Sequence, residues 1–393
     1  MGEEIVRSRI PDEDIDGFDN SEDVGGHHAE SIKPWDPGKI RITTKSFTLR
    51  EVVDQIDEDD IDLSPDFQRE YVWKNRQRTR LIESILLGIP LPAFYFDQSD
   101  SGRYQVVDGV QRLSTIALFM RNEHMLDGSS LEYLSDLDGK LYDQLDTASI
   151  RRFRSTQIVV HIIEPQTPDE VKYDIFNRVN TLGSPLSAQE IRHAMSAIRS
   201  RKFIQRLAES EVFDEATEHH YWKKSSAGDL VRDSGRMANR ELVLRFCAFR
   251  ASSIEDYRKF ASLDAFLMNF TKRIDGTAEP AISDQTLAEL ENAFIRAMAA
   301  AKEVLGIAAF RRWPLEADRR GPINRAVFEA QANALAEHPL ETMLQRRNEI
   351  VTAFRSAFGE QEYLRAVTVS TGDPNRVSYR LQQTRSILES TLR

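Results

Sequence analysis

Strand-like patterns are confined to the first half of this chain, and this uneven distribution constrains the fold more than any other feature. Four segments show the alternation or short apolar runs typical of β-strands: 39–43, 93–96, 104–107 and 157–163. From about residue 229 only amphipathic helical spacing is found, over 229–250, 261–274, 283–305, 322–336, 339–357 and 374–391. A chain of 393 residues is also longer than a domain with a single compact core usually is. We therefore predict an α+β domain, a small mixed sheet with helices, followed by an all-helical C-terminal domain.

Composition places the boundaries of three parts. Residues 1–38 are rich in Asp, Glu, Gly, Ser and Pro, which predicts a disordered acidic leader. The α+β domain is expected over 39–215 and the helical domain over 229–393, with the change near 215–228. Residues 1–66 hold 19 acidic and 7 basic residues, whereas the rest holds 44 and 45. The net charge of −11 therefore does not exclude nucleic acid as a partner.

Three features predict a cytoplasmic protein. Cys247 is the one cysteine, which excludes an internal disulfide and zinc sites built on cysteine pairs. No run of 18 apolar residues predicts a transmembrane helix, so no membrane partner is expected. The acidic N-terminus has no apolar region typical of a secretory signal.

Local signals also predict helices within the first domain. Thr48 is placed to cap a helix over 49–56, and Gly88 to end one over 76–87. A further helix is predicted over 168–179. Ser187 and Glu190 form a capping box that opens a helix to about residue 199.

One short motif comes directly after a predicted strand: Asp108-Gly109-Val110-Gln111-Arg112. Gly109 lets the backbone approach a ligand closely and adopt unusual dihedrals. The next residues open a helix, whose first N–H groups and positive dipole end attract an anion, and Arg112 adds a fork suited to phosphate oxygens. Asp108 could hold a divalent metal or orient water, and Gln111 could position a water or a base edge.

The same motif has a second interpretation, and the pattern alone gives the two equal weight. It could be a tight strand-to-helix turn in which Asp108 caps the helix and Arg112 forms a salt bridge. The sequence contains neither G-x-x-x-x-G-K-[ST] nor a G-x-G-x-x-G after a strand, so a nucleotide site here would be of another type. In the first interpretation Ser114 and Thr115 add hydroxyls within reach of the turn.

Three blocks of sequence, in order over roughly residues 45–200, resemble a known family. The blocks are 65–73 with 81–92, then 107–115, then 176–187 ending at 190–192. Together they resemble the N-terminal domain family of the GmrSD-type modification-dependent restriction endonucleases, a ParB/sulfiredoxin-like domain. The resemblance implies a nucleoside triphosphate bound and hydrolysed at a DGQQR-type motif, in proteins where this activity gates a nuclease acting on modified or invading DNA.

The resemblance also implies roles for individual residues. Three residues would be catalytic: Asp108, Gln111 and Arg112. The nucleotide-binding set would be Gln68, Arg69, Gly109, Arg112, Ser114, Thr115, Asn177, Arg178 and Asn180. The implied cofactor is a nucleoside triphosphate with Mg²⁺; the sequence does not choose among GTP, ATP and CTP, and it identifies no other metal.

The chain departs from the family in two respects. Val110 stands where the family motif has glutamine. Without that amide a contact that positions water or the base could be lost, so nucleotide binding is a firmer expectation than hydrolysis. Relatives that cut DNA often carry a C-terminal HNH-like domain, but beyond residue 229 the only histidine is His338. No HNH-type site is found in this chain, so the effector is expected on another chain.

Basic clusters could contact DNA phosphates, although such clusters are more often solvated surface. The candidate DNA contacts are Arg192, Arg199, Arg311 and Arg312. Phe310 and Trp313 lie beside the last cluster, where stacking and charge would occur together. His219 and His220 are adjacent and would point apart, which indicates a junction loop rather than a metal site.

These residues support two functional hypotheses. The leading one is a nucleoside-triphosphate-binding and hydrolysing protein of a prokaryotic, restriction-like defence system against phage or modified DNA. The alternative is a non-catalytic, nucleotide-gated regulatory or antitoxin-like subunit that controls a separately encoded nuclease or toxin. A homo-oligomer is compatible with either.

Overall fold

The computed structural model describes residues 37–63, 73–99, 101–179, 187–224, 228–233 and 236–393. The leader predicted over 1–38 lies outside these residues except for its last two. The chain divides into two compact units, the first ending at Met195 and the second formed by Ser196–Arg393. The division therefore lies before the predicted 215–228 change.

The first unit is an α+β domain, as its sequence predicts. Its strands are β1 (Ile42–Thr48), β2 (Ile61–Asp62), β3 (Phe94–Gln98), β4 (Tyr104–Asp108) and β5 (Gln157–Ile163). Its helices are α1 (Leu49–Asp57), α2 (Asn75–Leu87), α3 (Val110–Met120), α4 (Thr147–Ser155), α5 (Asp169–Val179) and α6 (Ala188–Ala194). The strands form one mixed sheet in the order β1-β5-β3-β4-β2, with β3–β4 antiparallel and β3–β5 parallel.

The sheet has two faces that are buried to different extents. One face packs against α1 to α4 in a core that includes Val53, Ile82, Leu113 and Phe153. The other is covered more sparsely by α5 and α6, through Phe176 and Ile191 against Val107 and Ile163. Val159 on β5 is 43% exposed, so part of this second face remains open.

Local sequence signals set the ends of several helices. Thr48 accepts a hydrogen bond from the Glu51 N–H, and Glu51 completes the capping box that opens α1. Gly88 ends α2 in the left-handed conformation, at φ 78°. Both predictions are confirmed.

The helix predicted from Ser187 to about residue 199 is interrupted. The Ser187–Glu190 capping box is present, but α6 ends at Ala194 and α7 begins at Ile198. No glycine or proline marks the break. The Asp275 carboxylate accepts hydrogen bonds from the N–H groups of Ala197 and Ser200, both 2.9 Å long, so a distant residue supplies the cap.

The second unit is mostly helical. Its helices are α7 (Ile198–Ala208), α8 (Glu211–Ala216), α9 (Ala238–Ala251), α10 (Ile254–Tyr257), α11 (Leu263–Asp275), α12 (Asp284–Ala300), α13 (Arg325–Leu335), α14 (Leu340–Gln345), α15 (Arg347–Ala357), α16 (Gln361–Thr368) and α17 (Pro374–Leu392). α9 lies at the centre, with Leu242, Phe246 and Cys247 fully buried. In the described part of the chain, no helix combines the length and apolarity needed to cross a membrane.

The prediction of helix throughout 229–250 is wrong at its start. Residues Trp222–Lys224 (β6) and Leu230–Arg232 (β7) pair as an antiparallel hairpin before α9 begins. Strands of three residues are too short to give an alternating pattern. Arg232 anchors the hairpin, because its guanidinium binds both carboxylate oxygens of Asp214 and lies 4.8 Å from the Trp222 ring centroid.

Glu83 of α2 holds a neighbouring loop in place. Its buried carboxylate accepts hydrogen bonds from the N–H groups of Glu132, Tyr133 and Leu134, at 2.7 to 3.1 Å. Burial by itself raises the pKa of this carboxyl, but the three backbone donors and Arg80 outweigh it, so the net pKa lies below the ordinary value. The ionised form therefore stabilises the fold.

We expect Glu83→Gln to lower the free energy of unfolding by about 1–3 kcal/mol at neutral pH. An amide has one acceptor oxygen and cannot accept all these hydrogen bonds, so at least one buried backbone N–H would be left without a partner. The depressed pKa means that the wild-type advantage is present above the unfolded-state pKa and is lost as the pH falls through the folded-state pKa. Urea unfolding at neutral and acidic pH measures both effects.

Glu132→Gln is the matched control, since its carboxylate is exposed and pairs at the surface with Arg80, at 3.3 Å. It should cost less than about 1 kcal/mol. Equal losses in the two variants would contradict the structural role of Glu83.

Candidate functional site

The predicted strand–turn–helix unit is present at the Asp108 motif. β4 ends at Asp108, Gly109 is the N-cap residue, and α3 begins at Val110. Asp108 lies opposite Tyr95 of β3, and the register shifts between Tyr95 and Phe96. The irregularity places the motif at an interrupted end of the ladder, where the backbone turns away from the sheet.

Gly109 is required at this turn for two separate reasons. Its φ of 100° lies in the left-handed region that side chains rarely adopt. A Cβ at this position would also lie 2.3 Å and 2.7 Å from two carbons of the Phe94 ring. Any other residue at this position would place its side chain in the space that the Phe94 ring occupies.

Arg112 ties the start of α3 to the start of β3. Its Nη2 donates to the Asp108 carboxylate at 2.8 Å and to the Ala93 carbonyl at 3.2 Å, and its Nη1 donates to the Pro92 carbonyl. The guanidinium carbon lies 4.1 Å from the Phe94 ring centroid. The salt bridge of the second sequence interpretation is therefore present. Asp108 does not cap the helix, because Gly109 occupies the N-cap position.

Burial affects both charges of this ion pair. The Asp108 side chain is 33% exposed and the Arg112 side chain 13%. Desolvation raises the pKa of Asp108, against the opposing effects of Arg112 and the Gly109 N–H, and it lowers the pKa of Arg112. Carboxyl groups whose pKa is perturbed by burial and a charged partner occur both at functional sites and in structural ion pairs.

The other motif residues differ in what they can reach. Gln111 is partly exposed on the first turn of α3, whereas Val110 is 5% exposed and packs into the core. Thr115 is fully buried and donates its hydroxyl to the Gln111 carbonyl at 2.7 Å. Ser114 is 8% exposed. In this structure the Thr115 hydroxyl supports α3, and the nucleotide contacts of both hydroxyls stay a prediction.

The other predicted nucleotide contacts are only partly described. Gln68, Arg69 and Asn180 lie outside the described residues, as does the side chain of Asn177. Arg178 is exposed near the C-terminal end of α5. Their assembly around the Asp108 turn stays a prediction of the family resemblance.

The four arginines predicted to contact DNA differ in their exposure. Arg192 is 1% exposed and donates to Gln189, and Arg311 is 8% exposed and donates to the Gly321 carbonyl. Arg199 donates to Asp284 at 2.7 Å and to the Ile282 carbonyl at 3.0 Å. Arg312 is partly buried. Arg192 and Arg311 are therefore engaged within their own units, and contact of any of the four with DNA stays a prediction.

The aromatic residues beside the last basic cluster are also used internally. Phe310 is fully buried in the helical core, so it offers no stacking surface. Trp313 donates to the Ala317 carbonyl, and the guanidinium of Arg355 lies 4.0 Å from its ring centroid.

Sequence reasoning missed the partners of Arg112. Phe94 and the carbonyls of Pro92 and Ala93 form its cradle, although these residues precede the motif by 14 or more positions. The two prolines at 90 and 92 were the available signal, because they force an extended entry into β3. Among the described residues, no group of three or more His, Cys, Asp or Glu side chains is arranged to hold a metal ion.

One segment of the chain matches the model of a known protein family. Residues 49–196 match the family model of the GmrSD restriction endonuclease, N-terminal domain. This segment is therefore similar to the N-terminal domain of that family. The match ends within one residue of the end of the first unit, and it contains the whole Asp108 motif.

Two further comparisons add little to this assignment. A solved Pnob8-like ParB-N domain, in its C2221 crystal form, shares 11% identity, with 90% of this chain and 99% of that chain covered and a TM-score of 0.22. No curated protein matches the chain.

The two roles of Gly109 can be separated with a matched glycine. Gly102, in the turn between β3 and β4, also has a left-handed φ, 87°, but a Cβ there meets nothing within 4 Å. We expect Gly102→Ala to cost about 1–2 kcal/mol of unfolding free energy from backbone strain alone. Gly109→Ala should cost about 1–3 kcal/mol more, because the Phe94 ring must also move. Equal losses in urea unfolding would show that the ring contact does not constrain this position.

Proposed function

We propose that the first unit, which resembles a GmrSD N-terminal domain, binds a nucleoside triphosphate with its phosphates at the Asp108–Arg112 turn. The family match points to a restriction-like defence system as the setting. The observation that carries the proposal is the Asp108–Arg112 ion pair, built on a glycine turn at the start of a helix. Phage or modified DNA would be the target of the system.

The first turn of α3 supports an anion at this position. Its N-cap, Gly109, has no side chain and supplies no capping hydrogen bond, and the turn contains no acidic residue. The positive end of the helix dipole therefore faces the Asp108 carboxylate, the position that a phosphate would take over. Arg112, one turn into the helix, adds full positive charge.

Phosphate binding at this turn would exchange partners within the ion pair. A phosphate oxygen competes with the Asp108 carboxylate for Nη2 of Arg112, since both are anionic acceptors. Arg112 keeps the Pro92 and Ala93 carbonyls as anchors during the exchange. The Asp108 carboxylate is then released for the Mg²⁺ that accompanies a triphosphate, which takes one or two protein carboxylates beside the phosphate oxygens and neutralises their charge.

Hydrolysis of the bound triphosphate is the first candidate for the activity of this site. In that case Asp108 orients or activates water, and Gln111, partly exposed on the first turn of α3, positions it. The raised pKa of Asp108 brings this carboxyl closer to the range in which a general base works. Val110 does not bear directly on this chemistry, because its side chain packs into the core.

A second candidate is a non-catalytic, nucleotide-gated subunit, antitoxin-like, that controls a separately encoded nuclease. The ion pair itself favours it, because Arg112 opposes the rise in the pKa of Asp108 and occupies one of the carboxylate oxygens that would act on water. In this case the nucleotide acts by exchanging the partner of Arg112, and no turnover is required.

Binding and phosphate release should be measured with GTP, ATP and CTP, each with Mg²⁺. We expect wild-type protein to bind at least one of them, and Arg112→Ala to weaken binding about tenfold or more, since it removes a charge-assisted contact. Asp108→Asn should abolish any phosphate release. Binding without release would favour the gated subunit, and no binding to any of the three would contradict both candidates.

Arg121→Ala is the matched control for Arg112→Ala. Arg121 comes directly after the last residue of the same helix and pairs with Asp57 at the surface, where both side chains are well exposed. Its removal changes the net charge equally but leaves the turn intact. Equal loss of affinity in the two variants would indicate a diffuse charge effect rather than a site.

A further inference from the structure

Strand β1 forms one edge of the mixed sheet, and within the described part of the chain nothing pairs with its outer side. β5 lies on its inner side, in a register that is regular over all seven residues of β1. Natural sheets commonly protect an edge strand by keeping it short, bulging it or giving it a proline or a lysine. β2, at the opposite edge, has two residues, whereas β1 has only Lys45 as protection and is exposed from Ile42 to Ser46.

Two hydrogen bonds show which backbone groups of β1 point towards β5. The Glu164 N–H donates to the Arg41 carbonyl, and the Leu49 N–H donates to the Thr156 carbonyl, both at 2.9 Å. Residues in an antiparallel ladder alternate between bonded and non-bonded pairs. Because the register between these two bonds is regular, the odd-numbered residues of β1 face β5 and the even-numbered residues direct their N–H and C=O groups outward.

Three residues therefore present backbone groups along the open edge: Ile42, Thr44 and Ser46. Each contributes one N–H donor and one C=O acceptor. Thr48, the next even-numbered residue, does not extend the set, because its N–H donates to the Glu51 carboxylate in the capping box of α1. The edge thus offers three donors and three acceptors to an added strand.

Two opposite charges beside this edge have no ionic partner among the described residues. Lys45 is exposed, and its ammonium group lies 3.4 Å from the Tyr104 hydroxyl. Glu164 is partly exposed, and its carboxylate accepts a hydrogen bond from the Thr43 hydroxyl. Thr43 and Lys45 alternate with the strand onto the same face as Phe47, which belongs to the core. The carboxylate and the ammonium group therefore lie on one face of the sheet.

We propose that β1 pairs with β1 of a second copy of this chain, antiparallel and about a twofold axis at Thr44. In this register Ile42 lies opposite Ser46 of the second copy, and Thr44 lies opposite Thr44 of the second copy. Each copy contributes three donors and three acceptors, so the ladder has six hydrogen bonds and uses every outward group of both strands. The inference goes beyond the proposed function and does not depend on nucleotide binding.

The charges select this register from its alternatives. Thr43 lies opposite Lys45 of the second copy, which brings that ammonium group beside the Glu164 carboxylate bonded to Thr43. The twofold axis repeats the contact, so one ion pair lies on each side of the axis. An axis at Lys45 would place two lysines opposite each other, and an axis at Ser46 would need the Thr48 N–H, which is already bonded.

Exchange of the two charges tests the pairing on the full chain. Analytical ultracentrifugation over a range of protein concentrations should show wild-type protein passing from one chain to two. We expect Lys45→Glu to weaken the dimer about tenfold or more, because it replaces two attractions by two repulsions, and Glu164→Lys to do the same. The double variant with both changes should restore the dimer, since the same ion pairs form with their charges exchanged.

Thr44→Pro tests the backbone ladder separately. It removes an N–H that points outward and leaves the bonds to β5 intact, so we expect the dimer to be lost and the fold to be kept, as checked by circular dichroism and urea unfolding. Arg76→Glu is the matched charge control, because Arg76 is exposed at the start of α2, and it should leave the dimer unchanged.

Three results would overturn the proposal. The first is a wild-type chain that stays single at every concentration, which would mean that the edge is closed in another way. The second is a dimer that Lys45→Glu or Thr44→Pro leaves unchanged, which would place the contact elsewhere. The third is a double variant that fails to recover the dimer, which would show that Lys45 and Glu164 do not meet across the axis.

Discussion

The candidate site depends on one guanidinium group held between a strand and a helix. Arg112 belongs to α3, but its partners are the carbonyls of Pro92 and Ala93, the Phe94 ring and the Asp108 carboxylate. These contacts join the two ends of the β3–β4 hairpin to the helix that comes after it. They also explain why Gly109 must be glycine, since Phe94 occupies the space that a side chain would need. The shape of the turn and the placement of its charges therefore have the same origin.

The ion pair is kept at some cost to folding. The pKa of Asp108 is raised mainly by burial, so its ionised form is less favourable in the folded protein than in the unfolded chain. Stability contributed by such a group is fully present below the unfolded-state pKa and is lost as the pH rises through the folded-state pKa. At neutral pH the charge opposes folding, whereas the charge of Glu83, with its three backbone donors, supports it. This contrast separates a carboxylate that serves the fold from one whose retention suggests a functional role.

Much of the first unit can be predicted from local signals. Three elements depend only on residues that are close together in the sequence: the strand at 157–163, the α1 capping box and the Gly88 end of α2. Each is found where the sequence predicts it. The break between α6 and α7 is different, because its cap comes from Asp275, some 75 residues away. The β6–β7 hairpin is likewise stabilised by Asp214 through Arg232 rather than by a pattern of its own. Contacts between residues far apart in the sequence determine where these two elements form, and the periodicity of apolar residues does not reveal such contacts.

The same reasoning applies to the arginines, and it divides them by role. Sequence places Arg112, Arg192, Arg199 and Arg311 in basic or motif contexts without showing what each side chain meets. In the structure Arg192 and Arg311 are almost fully buried, and the guanidinium of Arg199 is held by carbonyls and Asp284. Arg112 and Arg199 each have a carboxylate partner at the start of a helix, Asp108 and Asp284, that an anionic ligand could replace. The two helix starts differ, because the N-cap of α12 is Ser283, whose side chain accepts from the Thr286 N–H, whereas the N-cap of α3 is Gly109, which has no side chain. A replaceable carboxylate beside an N-cap without a side chain, rather than the density of positive charge, is what favours the Asp108–Arg112 turn as the candidate site.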